Sequence, residues 1–183
     1  AMNVSLTDTS IIDIYGNAIA FGIMMNAINA NFTDTSISDI EGNNSAAGIW
    51  MTGARNAVIS NGEIKNSGHG ILIQSSDNTT ITGFRIINNT EIATGVHLAT
   101  NTNNAEIHGN CFYDNKPYQA WDNGTNNNWT GNYWSPPPGE GPGNYSIPGS
   151  AKSKDNSPLP DCPLREKPAQ VPALTPIGIA ALI

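Results

Sequence analysis

The feature that most constrains this chain is an internal repeat of 22 to 27 residues. An apolar residue opens each of six copies, at Leu6, Phe32, Ile59, Ile81, Ile107 and Trp129. Five positions later a second apolar column recurs, at Ile11, Ile37, Ile64, Ile86, Phe112 and Trp134. A third column directly follows a glycine in four copies, at Ile23, Ile49, Ile71 and Val96. A repeat this short leaves no room for a helix of about 10 residues, so each copy is predicted to hold three short strands.

Polar turn residues recur in step with the apolar columns. An asparagine stands three residues before the first column in every copy, at Asn3, Asn29, Asn56, Asn78, Asn104 and Asn126. A second polar column lies seven residues after the first apolar one, at Asp13, Asp39, Asn66, Asn88 and Asp114. Asn and Asp tolerate left-handed backbone and bond locally at turns. Stacked asparagines also bond one another, so we expect a structural Asn ladder in the first polar column.

These columns predict an all-β fold, a right-handed single-stranded parallel β-helix of about 5 to 6 rungs, with adjacent rungs about 4.8 Å apart. All 12 prolines fall at or after position 117, and proline is excluded from sheet interiors. We therefore divide the chain into a β-helix over 1–134, a Pro/Gly-rich irregular tail over 135–170 that packs on or caps the coil, and an apolar segment over 171–183.

The repeat resembles the parallel β-helix repeat family, in particular its NosD-type and archaeal cell-surface branch. The segments NYW at 132–134, YSIPG at 145–149 and DNSPL at 155–159 are similar to the closing segments of such surface proteins. The resemblance covers residues 3 to 159 and implies the fold more specifically than the function. Relatives carry an acidic stretch after NYWS, whereas this chain has PPPGEGPG with only Glu140, which puts in doubt any calcium site carried there.

Composition and family together predict an exported, glycosylated protein of the cell envelope. Charged residues are 13% of the chain and the net charge is −7, which argues against a nucleic-acid partner. Eight glycosylation sequons begin at Asn3, Asn31, Asn43, Asn78, Asn88, Asn123, Asn128 and Asn144. A disulfide between Cys111 and Cys162 would pin the tail to the coil with about 4 kcal/mol of chain-entropy stabilisation. Cys111 precedes the inward Phe112 and is expected to face outward; the alternative to the disulfide is two unpaired thiols.

The segment 171–183 is apolar but shorter than the roughly 20 residues needed to span a bilayer. It resembles the first half of the C-terminal membrane anchor of archaeal envelope proteins, which would make it a truncated anchor. The alternative is a strand that docks on its own or a neighbouring coil. At the other end Asn3 begins the Asn column at once, so either an upstream region or another molecule covers the first rung.

The outward columns show no catalytic constellation. Glu63 and Arg85 stand on adjacent rungs and predict a cross-rung ion pair. The stacked acidic pairs are weak calcium candidates, at Asp8 with Asp34 and Asp13 with Asp39, with local turn bonding as the alternative. The three histidines, at 69, 97 and 108, lie on different segments, which disfavours a three-histidine metal site. We therefore predict no resident cofactor, with calcium as the alternative.

Alternation places Met24, Trp50, Leu72 and His97 outward as one stripe. Exposed apolar stripes mark contact surfaces, here for the tail, a second copy of the chain or a sugar. A register shifted by one residue would bury the stripe instead. Trp129 and Trp134 are expected to be core residues that plug the coil end.

These features favour a non-enzymatic structural or adhesive protein that self-associates as a homo-oligomer or polymer, in a filament, sheath or surface layer. A first alternative is a module that binds cell-surface polysaccharides. It could also degrade them as a lyase or glycoside hydrolase, through outward Asp residues, Glu63, Arg85 or His108 with Trp50 as a platform. A second alternative is a NosD-like module that binds copper or calcium.

Overall fold

The computed structural model describes residues 4–16, 19–42, 45–89, 94–135 and 145–164. These residues form strands and no helix. The strands, in chain order, are β1 (Ser5–Thr7), β2 (Ser10–Gly16), β3 (Ile19–Met25), β4 (Asn31–Thr33), β5 (Ser36–Gly42), β6 (Ser45–Thr52), β7 (Val58–Ser67), β8 (His69–Gln74), β9 (Thr80–Ile87), β10 (Thr94–Leu98), β11 (Glu106–His108), β12 (Cys111–Tyr113), β13 (Tyr118–Asp122), β14 (Asn128–Thr130), β15 (Tyr133–Ser135), β16 (Tyr145–Ser146) and β17 (Lys154–Asp155).

Each strand of the coil pairs in parallel with the equivalent strand one rung away, which confirms the predicted parallel β-helix. The register aligns the apolar columns, as in Leu6 opposite Phe32 and Ile11 opposite Ile37. The three columns form two hydrogen-bonded sheets rather than three, one of twelve strands and one of five. The reason is that β7 and β9 continue through the first corner, where Gly62 pairs with Phe84.

The corners are built from residues with left-handed backbone. Both predicted polar columns have this conformation wherever they are described, with φ between 49° and 59°. A third such column, which the sequence analysis did not separate, follows the first apolar column by two residues, at Asp8, Asp34, Asn61, Gly83, Gly109 and Gly131. Asn, Asp and Gly are the residues that adopt this backbone at least cost, and nine of the described asparagines have it.

The core is the stack of inward apolar columns. Phe32, Ile59 and Ile81 are fully buried, as are Ile37, Ile64 and Ile86 on the next side. The glycine before the third column keeps successive rungs close. A Cβ on Gly70 would lie 2.4 Å from the carbonyl oxygen of Gly95, so a larger residue there would push the rungs apart.

The C-terminal end of the coil is closed by aromatic rings and by a buried carboxylate. Trp134 stacks between Phe112 and Tyr145, with ring centroids 4.3 and 3.9 Å away. The Asp155 carboxylate, in β17, accepts hydrogen bonds from the Trp134 indole at 3.1 Å and the Asn132 backbone N–H at 2.9 Å. β17 pairs in parallel with β14, so this part of the tail extends the twelve-stranded sheet.

A second buried carboxylate belongs to Asp122, the last residue of β13 in the five-stranded sheet. It accepts hydrogen bonds from the Trp129 indole at 2.9 Å and the Ser153 hydroxyl at 2.7 Å. Trp129 and Trp134 are 2% and 3% exposed. Both tryptophans therefore lie in the core at the coil end, and each donates to a buried aspartate that the sequence analysis did not identify.

Cys111 and Cys162 are joined in a disulfide, with Cα atoms 5.6 Å apart. The side chain of Cys111 points out of the coil but is fully buried, because the bonded tail segment covers it. Cys111 therefore faces outward and is bonded to Cys162, as expected from the sequence. Within the described part of the chain, no helix is long and apolar enough to cross a membrane. The predicted anchor or docking segment, 171–183, lies outside the described residues.

Candidate functional site

The outward side of the five-stranded sheet, here called the outer face, carries two parallel columns of side chains. One column consists of Phe21, Ala47, His69, Thr94 and Tyr118. The other column is Met24, Trp50, Leu72, His97 and Trp121. The first column reaches the same side as the second because strict alternation is interrupted at the glycine between them, as at Gly22, where a Cβ would point to the core residue Ile37. Neither column contains Asp, Glu, Lys or Arg. The outer face is therefore an uncharged surface of rings and apolar chains on a protein with net charge −7.

The stripe that the sequence predicted is part of this face. Met24, Trp50, Leu72 and His97 are direct cross-strand neighbours, and Met24 is 62% exposed. The strand register is therefore not shifted by one residue, which was the alternative that would have buried the stripe. Trp121 extends the stripe by one rung, because it pairs with His97. This extension was not predicted because Gln119, rather than a glycine, precedes Ala120, the residue that continues the third apolar column.

Aromatic and imidazole rings on this face meet in three pairs. Phe21 contacts Trp50 on the next rung, with centroids 4.5 Å apart. His69 and His97 lie on adjacent rungs, with centroids 5.3 Å apart. On the last rung of the sheet Tyr118 contacts Trp121 at 5.0 Å. The two histidines thus lie between two aromatic pairs.

The two histidines are half-buried and electrically neutral. Burial, with a smaller effect of His97, lowers the pKa of His69 to about 3. Burial also lowers the pKa of His97, partly offset by Asp122. Both imidazoles are therefore uncharged at neutral pH.

The pair also carries ring nitrogens that have no hydrogen-bond partner. Nδ1 of His69 and Nε2 of His97 are inaccessible to solvent and unbonded. The indole nitrogen of Trp50 and the hydroxyl of Thr94, on the same face, are in the same state. Buried polar atoms are nearly always satisfied in native proteins, so a group of four on one face calls for an explanation.

The third histidine lies elsewhere. His108 is on the outward side of the twelve-stranded sheet, where its Nδ1 lies 3.2 Å from the Thr82 hydroxyl. The three histidines lie on different segments of the sequence, so the contact between His69 and His97 was not predicted. The sequence did contain a signal for this contact. Ile71 and Val96 occupy the same inward column on adjacent rungs; His69 lies two residues before Ile71, and His97 directly follows Val96.

The weak calcium candidates do not form a cluster. Asp8, Asp34, Asp13 and Asp39 all have left-handed backbone at corners, and Asp39 accepts a hydrogen bond from the Asn66 amide at 2.9 Å. Among the residues that the structure describes, no group of three or more His, Cys, Asp or Glu is placed to hold a metal ion together.

The predicted cross-rung ion pair is present. Arg85 lies 3.2 Å from the Glu63 carboxylate, which also contacts Lys65 at 3.3 Å. The pair borders a cavity of about 220 Å³ beneath Pro163 and Leu164 of the disulfide-linked tail. Glu63 and Arg85 neutralise each other there, which is a structural role.

The predicted Asn ladder runs in segments. The Asn56 amide donates to Asn29 at 3.3 Å and the Asn78 amide donates to Asn56 at 3.2 Å. Asn104 departs from the pattern, because its amide donates to the Asp77 carboxylate at 2.9 Å instead. Asn3 lies outside the described residues.

The model of the family described as periplasmic copper-binding protein (NosD) matches residues 3–139. The chain belongs to the NosD family. No curated protein matches it. Among the residues that the structure describes, two metal-binding side chains meet with unbonded nitrogens at the His69–His97 pair on the outer face.

Proposed function

We propose that this NosD-family β-helix is a non-enzymatic, extracytoplasmic module that binds copper as Cu(I) at His69 and His97. The observation that supports the proposal is the contact between two half-buried, neutral imidazoles, in which His69 Nδ1 and His97 Nε2 are inaccessible to solvent and have no hydrogen-bond partner. A neutral imidazole nitrogen is a good ligand for copper. Copper bound there would satisfy both nitrogens.

The donor set favours the cuprous ion. Cu(II) prefers a tetragonal set of nitrogen and oxygen ligands, and the described residues supply no group of three such side chains. Cu(I) is a closed-shell ion that accepts two nitrogen ligands. The lowered pKa values mean that no proton has to be displaced from either ring at neutral pH. Leu72, between Trp50 and His97 in the same column, adds an apolar neighbour that disfavours hydrated ions.

The test is an anaerobic titration with Cu(I) in the presence of a coloured competing chelator. We expect one equivalent to bind to the unmodified protein, with X-ray absorption showing nitrogen ligands at low coordination number. His69→Asn and His97→Asn should each abolish that equivalent, while His108→Asn should retain it. Retention of the full equivalent in both outer-face variants would overturn the proposal.

An extracytoplasmic location fits other features of the chain. The Cys111–Cys162 disulfide persists only in oxidising compartments in most organisms. Four predicted sequon asparagines are exposed, at Asn31, Asn78, Asn88 and Asn128; Asn123 is half-buried, and Asn3, Asn43 and Asn144 lie outside the described residues. We propose that the exposed sequons are glycosylated in the native host, which glycopeptide mass spectrometry would detect.

A further inference from the structure

We propose that the outer face binds an uncharged polysaccharide, which stacks on the aromatic pairs on either side of the histidines. This inference is independent of copper. It rests on the Phe21–Trp50 and Tyr118–Trp121 contacts and on the absence of charge from the described columns of this face. Aromatic side chains that stay partly exposed offer a rigid apolar surface, onto which the C–H face of a pyranose ring stacks.

The spacing of the rings suits a chain-like ligand. Trp50 and Trp121 belong to one column, three rungs apart, which corresponds to about 14 Å along the coil axis. That length matches a few sugar units, so one glycan strand lying along the axis reaches both tryptophans. Tyr118 is 41% exposed, and Trp50 and Trp121 are half-buried, so their rings remain accessible from solvent.

A polar row lies beside the aromatic column. Asn26, Thr52 and Gln74 follow the outer column by two residues on successive rungs, and Asn26 and Gln74 are exposed. Amide and hydroxyl groups donate to and accept from sugar hydroxyls. An uncharged ring surface bordered by neutral polar groups complements a neutral glycan and gives a polyuronate no cationic partner.

The experiment measures binding to a soluble mixed-linkage β-glucan, a mannan and polygalacturonate, by affinity electrophoresis and calorimetry, in the absence of copper. We expect at least one neutral polymer to bind and polygalacturonate not to bind. Trp50→Ala and Trp121→Ala should each weaken binding at least tenfold. Trp50→Phe should retain most of it because the stacking ring remains. Tyr15→Ala is the matched control, since Tyr15 is 66% exposed on the other sheet, and it should leave binding unchanged.

Two other occupants of this face would give different results. If a second copy covers it, sedimentation would show an oligomer that dissociates in Trp50→Ala, and neutral polymers would not bind. If the segment 171–183 covers it, removing that segment would create binding that the full chain lacks. Either result, or preferential binding of polygalacturonate, overturns the proposal. Because copper is absent throughout, failure here leaves the histidine site untouched, and failure of the copper titration leaves this surface untouched.

Discussion

At the residue scale, asparagines occupy two opposite environments, the exposed corners and the buried interior of the coil. The corner asparagines, such as Asn56 and Asn66, are exposed and were visible in the sequence because they recur at a fixed offset. Asn110 and Asn132 are fully buried, and their side chains bond backbone groups of neighbouring rungs; Asn132, for example, accepts from the Asn110 N–H at 3.1 Å. The sequence could not reveal this role, because a polar residue in a polar turn indicates exposure unless its bonding partners are known.

The half-buried histidine pair makes the free energy of unfolding depend on pH. His69 has a pKa of about 3 in the folded protein and about 6.5 when unfolded, so below pH 6.5 the unfolded chain takes up a proton that the folded chain does not. This contribution to stability is present above pH 6.5 and is lost progressively as the pH falls toward 3. The slope for one such group approaches about 1.4 kcal/mol per pH unit.

We expect urea unfolding between pH 6.5 and 5 to show this loss, and His69→Asn to reduce the slope by close to one proton. Above pH 7.5 both proteins should show no histidine-dependent slope, which serves as the internal control. Equal slopes for the two proteins between pH 6.5 and 5 would show that His69 titrates normally in the folded state.

At the scale of elements, short strands at the C-terminal end depend on one carboxylate. Asp155 accepts hydrogen bonds from Gly131, Asn132, Trp134 and Ser157, which belong to or flank β14, β15 and β17. β17 has only two residues, so its position depends on these bonds more than on its own ladder. The repeat ends near Trp134, so its periodicity gives no information about Asp155, which lies 21 positions later and accepts a hydrogen bond from the Trp134 indole.

Asp155→Asn should therefore lower the free energy of unfolding by about 3 kcal/mol, because an amide nitrogen would replace an acceptor and leave a buried donor unsatisfied. Chemical denaturation at pH 7 measures the change. Asp161→Asn is the matched control, since Asp161 is exposed, and its effect should stay within about 0.5 kcal/mol. Equal losses in the two variants would mean that the change in net charge, rather than the buried bonds, is responsible.

The repeat predicted much of the fold and less of the candidate site. Column positions follow from one-dimensional periodicity, so the inward stack from Phe32 to Trp129 and the outward stripe from Met24 to His97 could be read directly. The contact between His69 and His97 is diagonal, joining two different columns on adjacent rungs. Such a contact depends on how far each strand segment extends around its corner, which the period alone does not determine.

At the scale of the whole molecule, the two ends of the coil differ. Leu6, Ile11 and Ile14 of the first rung are only partly buried, whereas Ile59 and Ile64, two rungs on, are fully buried. The last rung is closed by Tyr145, Asp155 and the disulfide-linked tail. In a solenoid, each rung is stabilised mainly by its neighbours, so local stability should rise from the first rung toward the middle.

Hydrogen exchange should show this gradient. At low micromolar concentration we expect amides of β1, β2 and β3 to exchange fastest and those of β7, β8 and β9 slowest, with intermediate to high protection in β14 and β15.

Self-association, which the sequence predicts, adds a second expectation. β1 and β3 are edge strands of the two sheets within the described chain, and an edge strand pairs readily with another molecule. If copies stack through that edge, protection in β1 to β3 should rise with protein concentration while protection in β7 to β9 stays constant. Protection that is independent of concentration in all strands would rule out stacking through the first rung.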